Sequence, residues 1–297
     1  MELHQLRYFR AVARTGNFTR AAASEHVTQP SLSQQILKLE DELGAKLFER
    51  FPRNAKLTQF GTAFLPKAEA ILRQIGEART EIQEMAGAEK GKIVVGAIPT
   101  IAPYFLPALL TGFARQHPTV QVSVFEEITP ILLERLHDGR IDMALLALPV
   151  RGEELVCEEL FQESLYVVLP AKHRLAKRGR IRLREIKNEP FLLLREGHCF
   201  RENAISACQR SNLDPSIVFE SGQFSGILAM VSAGMGVSIV PAMAVEKRKG
   251  CKFIRVDDNH ACRRVGLVQR RNHFSTRSQR ALIDHLKQMH EQGGAQS

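Results

Sequence analysis

The five-residue break Gly87-Ala88-Glu89-Lys90-Gly91 constrains the fold of this chain most, because the hydrophobic period changes across it. Before it, apolar residues recur at helical spacing; after it, short apolar runs alternate with helix-period stretches. One layered core cannot serve both patterns. The chain therefore reads as a helical N-terminal part, a short flexible hinge and a larger α/β part. A length of 297 residues with 44% hydrophobic content supplies about two full cores at roughly 150 residues each, with no need of a disulfide framework.

In the first part, Leu3, Leu6, Phe9, Val12 and Ala13 set a helix that Gly16-Asn17 ends. A second helix over about 18–25 is rich in small residues (Ala21, Ala22, Ala23), which let another helix approach closely. Thr28 or Gln29 caps a third helix with Pro30 in its first turn. Its apolar face is Leu32, Ile36, Leu39 and Leu43, and its other face shows Ser31, Ser33, Gln34, Gln35 and Lys38. That layout suits a helix-turn-helix, whose second helix lays its N-terminal polar residues in the DNA major groove. An ordinary three-helix cluster with a polar outer face fits the pattern equally well. Phe48 to Thr58 tips the balance, since it reads as two short strands around a Pro/Asn turn, a wing carrying Arg50, Arg53 and Lys56. The candidate DNA contacts are Thr28, Gln29, Pro30, Ser31, Ser33, Gln34, Lys38, Arg50 and Arg53. The net charge of +9 does not locate this element. Residues 1–60 hold nine Lys or Arg and six Asp or Glu, and much of the excess lies in a run from Lys172 to Arg184 that reads as solvated surface.

Phe18-Thr19-Arg20-Ala21-Ala22, Gln29-Pro30-Ser31-Leu32-Ser33, Ile36 with Leu39-Glu40, Leu43-Gly44 and Leu47-Phe48 with Arg50 closely resemble the winged helix-turn-helix of LysR-type transcriptional regulators, without a gap over about the first 60 residues. The stretch from Gln59 to about Met85 carries one apolar stripe (Phe60, Phe64, Leu65, Ala68, Ile71, Leu72, Ile75, Ile82) with Thr58 as cap, and it reads as one long helix. The resemblance implies that this helix makes a homodimer, which assembles further to a homotetramer on an inverted-repeat operator in double-stranded DNA.

Past the hinge, strands are predicted at 92–97, 120–125, 141–148, 165–169, 191–194, 218–219, 237–240, 253–256 and 265–268. Helices are predicted near 105–116, 131–137, 202–210, 226–233 and 276–290. The alternation predicts an α/β fold with mostly parallel strands. Ala233-Gly234-Met235-Gly236-Val237 and Pro241 resemble the family's two-lobed, periplasmic-binding-protein-like (type 2) sensor, with a ligand cleft between the lobes. The expected organisation is a DNA-binding domain at 1–58, a linker helix and hinge at 59–91, and a regulatory domain at 92–297. Its first lobe is expected at about 92–162 with 268–297, its second at about 163–267, and the chain crossings near 161–165 and 266–270.

Within that regulatory domain, Cys199 and Cys208 stand nine positions apart in a segment whose apolar spacing predicts a helix. On one helix they would be about 13.5 Å apart. A disulfide needs Cα atoms within about 7 Å. Spacing alone leaves two readings open: buried structural cysteines, or a bond that forms only when the helix is remodelled. Arg201, His198 and the helix N-terminus are expected to favour a Cys199 thiolate. Gly197-His198-Cys199-Phe200-Arg201 with Cys208, Ile98-Pro99-Thr100 and Thr129 resembles the hydrogen-peroxide-sensing members of the LysR family. The resemblance implies that Cys199 is the peroxidatic and Cys208 the resolving cysteine, and that Thr100, Thr129 and His198 organise the peroxide. An arginine before the last strand belongs to the same picture; Arg263 or Arg264 could fill it, and Arg264 is the expected peroxide-binding residue. Arg195-Glu196 before Gly197 and Arg210 after Cys208 depart from the expected flanks.

The five cysteines contain no Cys-x-x-Cys pair and no His/Cys spacing of a metal site, so Cys157, Cys251 and Cys262 read as bystanders and neither metal nor cofactor is expected. No signal-peptide pattern opens the sequence, which predicts a cytoplasmic protein without membrane association. Missing nucleophile-elbow and phosphate-loop motifs argue against an enzyme. The expected activity is peroxide-responsive control of oxidative-stress genes, with RNA polymerase and a thiol reductant system as partners. The competing reading keeps the DNA reader and places a small organic effector in the cleft.

Overall fold

The computed structural model describes residues 1–51, 54–85, 91–271 and 275–293. The chain folds as two compact bodies, Met1–Ala88 and Glu89–Ser297.

The first body contains helices α1 (Leu3–Thr15), α2 (Phe18–Ser24) and α3 (Gln29–Leu43), strands β1 (Phe48–Arg50) and β2 (Ala55–Leu57), and the long helix α4 (Gln59–Met85). Gly16 ends α1 in the left-handed conformation at φ 61°, as a glycine does without steric cost. Its carbonyl accepts the Ala55 N–H at 2.7 Å, so the helix stop also seats the wing. Thr28 caps α3, its hydroxyl accepting the Ser31 N–H at 3.4 Å, with Pro30 in the first turn. Leu32, Ile36 and Leu39 are fully buried against Phe9, Val12 and Ala21. Leu43, expected on the same face, is 40% exposed because it is the last helical residue and the chain turns away at Gly44. Thr58 caps the start of α4, its hydroxyl accepting the Gly61 N–H at 3.1 Å. Ala68 of α4 is buried in this core, whereas Ile82 near the far end of α4 is 65% exposed.

Glu40 fastens α3 to the wing. Its carboxylate is buried and accepts the Leu47 N–H at 2.7 Å and the Phe48 N–H at 3.1 Å, with Lys46 and Arg50 at 3.6 and 3.5 Å.

The second body begins with β3 (Lys92–Ala97), α5 (Ala102–Gln116), β4 (Gln121–Glu126), α6 (Thr129–His137) and β5 (Met143–Leu148). The 16-residue strand β6 (Leu155–Pro170) follows, then β7 (Arg180–Ile181), a 3-10 turn at Leu183–Ile186, β8 (Phe191–Leu194), α7 (Cys199–Arg210), β9 (Ile217–Ser221), α8 (Phe224–Ser232) and β10 (Ser238–Pro241). A 3-10 turn at Ala242–Ala244, β11 (Cys251–Val256), β12 (Cys262–Arg270) and α9 (Arg277–Gly293) complete it. β3, β4 and β5 pair in parallel, as do β8 with β9, but β12 runs antiparallel to both β5 and β6, and β10 and β11 run antiparallel to β6. The sheet is therefore mixed, because the two long strands β6 and β12 run in opposite directions through both lobes.

Two separate cores define the lobes. Ile93, Val95, Leu145, Leu160, Val265 and Leu267 belong to one; Leu165, Val167, Leu192, Ala204, Val240 and Ala261 belong to the other. The first crossing lies between Leu160 and Leu165 on β6. The second lies between Ala261 and Val265, not near 266–270 as expected. The register explains the shift: β12 pairs with β5 from Arg264 onward, which draws Val265, Leu267 and Val268 into the first lobe. Among the described residues no helix is long and apolar enough to cross a membrane.

Replacing Glu40 with Ala leaves the buried Leu47 and Phe48 amides without acceptors, a loss of about 2–6 kcal/mol for two such groups. Hydrogen exchange is the check: amides at Leu47 and Phe48 exchange at least about tenfold faster in Glu40→Ala, while those in the second body keep their wild-type rates.

Candidate functional site: a buried thiol at the lobe boundary

The loop from Arg195 to His198 leads out of β8, and Gly197 takes φ 89° there to turn the chain into α7. His198 occupies the N-cap position and Cys199 opens the helix. Although α7 belongs to the second lobe, Cys199 packs against the core of the first. Cys208, on the last turns of the same helix, is buried in the core of the second. One helix thus holds two thiols in two different cores. Both are free, and the unbroken helix between them separates them by about 13.5 Å along its axis.

Around Cys199 the structure brings together residues from the C-terminal ends of the parallel strands, the usual position of a site in such a sheet. Thr100 follows β3, Thr129 opens α6 after β4, and the Ala147 backbone near the end of β5 reaches the thiol. Arg263 arrives from β12 at the second crossing with its side chain wholly buried. Its Nη1 donates to Thr100 Oγ1 at 2.8 Å, its Nη2 to Thr100 O at 3.0 Å, and its Nε to Glu163 Oε1 at 2.5 Å. Glu163 Oε2 in turn accepts the Met243 N–H at 2.9 Å, and Arg263 Nη2 lies 3.3 Å from Met243 Sδ. The guanidinium carbon sits 5.2 Å above the Phe200 ring.

The Thr129 side chain reaches the Cys199 thiol and has no other hydrogen-bond partner, and His198 Nε2, on the preceding residue, is buried with none. Buried polar groups are nearly always satisfied, so an unpartnered His198 Nε2 and a Thr129 hydroxyl with bonding capacity to spare suit a small polar ligand. His198 also lines an open cleft of about 500 Å³ with Pro99, Glu127 and Ile128 from one lobe and Arg195 and Ser221 from the other, a route from solvent to the site.

Burial pushes the Cys199 thiol above its ordinary range, against downward pulls from Thr129, Arg263 and the backbone at Ala147 and Phe200. Desolvation outweighs the charge, so the thiol rests protonated. The expected thiolate-favouring charges act elsewhere. Arg201 is held by Leu194 O at 2.9 Å and by Glu220, and burial, with Arg195 adding to it, lowers His198 so that its ring is neutral. Arg263 is the cation that acts on the thiol.

Arg264, expected here, is a correction. It points outward and pairs with Glu159 at 3.3 Å. Strand alternation could have chosen between the two arginines: Arg263 shares its face with Val265 and Leu267, both buried, and Arg264 does not. Glu163 and Met243 carried no sequence signal, since only the crossing of β6 and β12 and the 3-10 turn after β10 bring them to Arg263.

In the first body, Thr28, Gln29, Pro30, Ser31, Gln34 and Lys38 form the exposed edge of α3; Ser33 is half-buried and its hydroxyl accepts from Gln29 Nε2 at 2.9 Å. Arg50 is exposed and lies 4.8 Å over the Phe18 ring. Arg53 falls outside the described residues. Among the described residues no group of three His, Cys, Asp or Glu is placed to hold a metal ion.

Two family models match the chain: the bacterial regulatory helix-turn-helix protein of the lysR family over residues 3–62, and the LysR substrate binding domain over residues 86–291. The DNA-binding transcriptional dual regulator OxyR of Escherichia coli is 33% identical over 273 residues, covering 91% of this chain and 90% of that protein. The transcriptional dual regulator GltC of Bacillus subtilis is equally similar, 33% over 275 residues, with 92% of each chain covered. Among solved structures, a full-length OxyR C199D variant from Pseudomonas aeruginosa aligns with a TM-score of 0.80 at 33% identity, covering 97% of this chain and 95% of that one. A hydrogen-peroxide-bound OxyR C206S mutant from Corynebacterium glutamicum aligns at 0.64 and 30%, covering 99% and 92%.

Burial first, and the Asp258 charge second, push Cys208 up to about 12. A thiol raised in the folded state stabilises the fold below its ordinary value of about 8.5, and that stability is lost at about 1.4 kcal/mol per pH unit as pH rises toward the folded value. Chemical unfolding between about pH 9 and 11 is therefore expected to show wild type losing stability faster than Cys208→Ala by close to that increment per unit. A constant gap between the two proteins across the window contradicts the assignment.

Proposed function

Because the chain belongs to the LysR family of bacterial regulatory helix-turn-helix proteins, we propose that it is a transcriptional regulator whose DNA binding is switched by hydrogen peroxide through Cys199 and Cys208. The observation that carries this reading is a buried thiol bonded by Thr129 and facing the Arg263 charge, preceded by a His198 whose buried Nε2 has no partner. In this reading a peroxide oxygen takes up the spare bonding capacity of the Thr129 hydroxyl and of His198 Nε2. Relatives of equal identity include both OxyR and GltC, so overall likeness does not choose the signal; the constellation around Cys199 is what supports peroxide.

The chemistry balances in two steps. Cys199 sulfur attacks one peroxide oxygen and breaks the O–O bond, its own proton leaving with the other oxygen as water and a sulfenic acid remaining. In this reading neutral His198 and the Thr129 hydroxyl move that proton, while Arg263 favours the negative charge that builds on sulfur as the proton departs. Cys208 sulfur then displaces the sulfenic hydroxyl, giving a disulfide and a second water; the net change is two thiols and one peroxide to one disulfide and two waters.

The second step cannot occur on the helix as built, because the Cα atoms must come within about 7 Å. α7 has to unwind. Asn203 Oδ1, buried in the middle of α7 without a hydrogen-bond partner, lowers the cost of doing so. Closing a loop of about ten residues is worth roughly 2.5–3 kcal/mol, comparable with the difference between two conformers. Cys199 would leave the core of the first lobe and α7 would be rebuilt on the second, changing how the lobes present themselves to a dimer partner. In this reading α4, with Ile82 exposed, pairs in a homodimer and the sensors join dimers into a tetramer. The α3 edge and Arg50 read an inverted repeat in duplex DNA, oxidation alters half-site spacing and contact with RNA polymerase, and a thiol reductant system restores Cys199 and Cys208.

Titrating free thiols after brief, low-dose peroxide tests the switch: two thiols per chain are lost, and none in Cys199→Ser. Retention of all five thiols in wild type sinks it. Thr129→Val separates a functional hydroxyl from a structural one. It is expected to slow thiol loss on the order of 100-fold, as removing one transition-state hydrogen bond does. Its melting temperature should change little, since the buried hydroxyl that is removed has no hydrogen-bond partner besides the thiol.

A further inference from the structure

A second concavity, of about 610 Å³, lies in the second lobe between the C-terminal end of α7 and the segment around the 3-10 turn Leu183–Ile186. Arg182, Arg184 and Lys187 line it from that segment and Arg210 from α7. Neighbouring arginines on the same stretch are matched to acids: Arg174 to Glu189 at 3.2 Å, Arg178 to Glu185 at 2.9 Å and Arg180 to Asp257 at 3.0 Å. Among the described residues, none of the four lining cations has a carboxylate partner. Arg210 gives only its Nε, to Ser206 O at 3.2 Å. The two acids at the rim are already engaged, Asp257 by Arg180 and Asp258 by the Leu183 N–H at 2.8 Å.

Cations gathered from two chain segments around one hollow repel one another, and a bound anion relieves that repulsion. Arginine suits the role because its planar fork grips phosphoryl oxygens two at a time. The volume falls within the range of about 300–1,000 Å³ typical of small-molecule sites and is generous for a lone phosphate. With Asp257 matched to Arg180, the four cations and Asp258 leave a net charge of +3, which still exceeds the roughly −2 of one phosphate. Ser211, Asn212 and Asn259 add neutral donors and acceptors for the rest of a ligand.

We infer that this cleft binds a small molecule bearing two or more phosphoryl groups, held by Arg184 on one side and Arg210 on the other. Ala207, Arg210 and Ser211 at the rim belong to the end of α7 that carries Cys208. An occupant ties that end to the Arg182–Lys187 segment, and so opposes the unwinding that brings Cys208 to Cys199. The binding stands by itself; this coupling rests on the thiol-switch reading.

Calorimetry on the full-length protein in about 150 mM salt, where screening of exposed charges sets in within about 8 Å, tests the binding with pyrophosphate and ATP as probes and citrate as the carboxylate control. Saturable binding of a phosphate probe is expected, weakened at least about tenfold in Arg184→Gln/Arg210→Gln and unchanged in Lys172→Gln, which lies outside the cleft. No saturable binding, equal binding in the double variant, or citrate binding as tight as pyrophosphate overturns the assignment. So does a double variant that loses duplex-DNA affinity while wild type binds no phosphate probe, which would give these cations to DNA. With pyrophosphate bound, peroxide-driven loss of the two thiols is expected to slow at least threefold; an unchanged rate overturns the coupling. Phosphate binding in a protein that never closes the disulfide overturns the thiol switch and leaves the cleft assignment standing.

Discussion

The buried pair Arg263–Glu163 is the contact on which the second body's site depends. Each partner sits on a strand that crosses between lobes, β12 and β6, and each spends its remaining valences on a different neighbour: Arg263 on Thr100, Glu163 on the Met243 amide. A buried ion pair repays its desolvation only when the remaining hydrogen-bonding capacity is used, and here much of it is. Breaking such a pair by removing one partner typically costs about 3–5 kcal/mol. The pair also sets the electrostatics of Cys199, because Arg263 is the charge that opposes burial at that thiol. Crossing geometry and thiol chemistry are therefore one device.

Against this fixed frame stands a helix with divided allegiance. α7 begins in the core of one lobe through Cys199 and ends in the core of the other through Cys208. It carries unsatisfied polar atoms along its length, His198 Nε2 at the cap and Asn203 Oδ1 in its middle, and Thr129 Oγ1 faces it. Each orphan costs stability in the resting fold, and each would be relieved by a ligand or by movement. The protein keeps its rigid partners on the crossing strands and its dissatisfaction on the element that the proposed chemistry moves.

Local rules carried the sequence reading far in some regions and stopped abruptly in others. The helix stops at Gly16 and Gly44, the Thr28 cap with Pro30, and the buried row Leu32, Ile36 and Leu39 were all legible, because caps and periodicity act within a few residues. Cys199 and Cys208 and the flanking His198 could be picked out because they share one segment. Thr100 and Thr129 came only with the family likeness. The choice of Arg264 over Arg263 was a one-residue error in a strand, where a step of one reverses the face. The mixed sheet and the second crossing at 261–265 were not legible, since pairing direction between distant strands leaves no local mark.

By itself, then, the sequence determined the two-body division, the helical reader with its wing, and the pair of thiols set too far apart to bond on a helix, because each of these follows from spacing along the chain. Only the tertiary structure decided which arginine acts on Cys199, that burial outweighs charge at that thiol, and that the neighbouring His198 Nε2 lacks a partner. Those depend on which side chains meet across β6, β12 and α7, and on how much water is excluded when they do. Solvation and long-range contact are properties of the assembled fold.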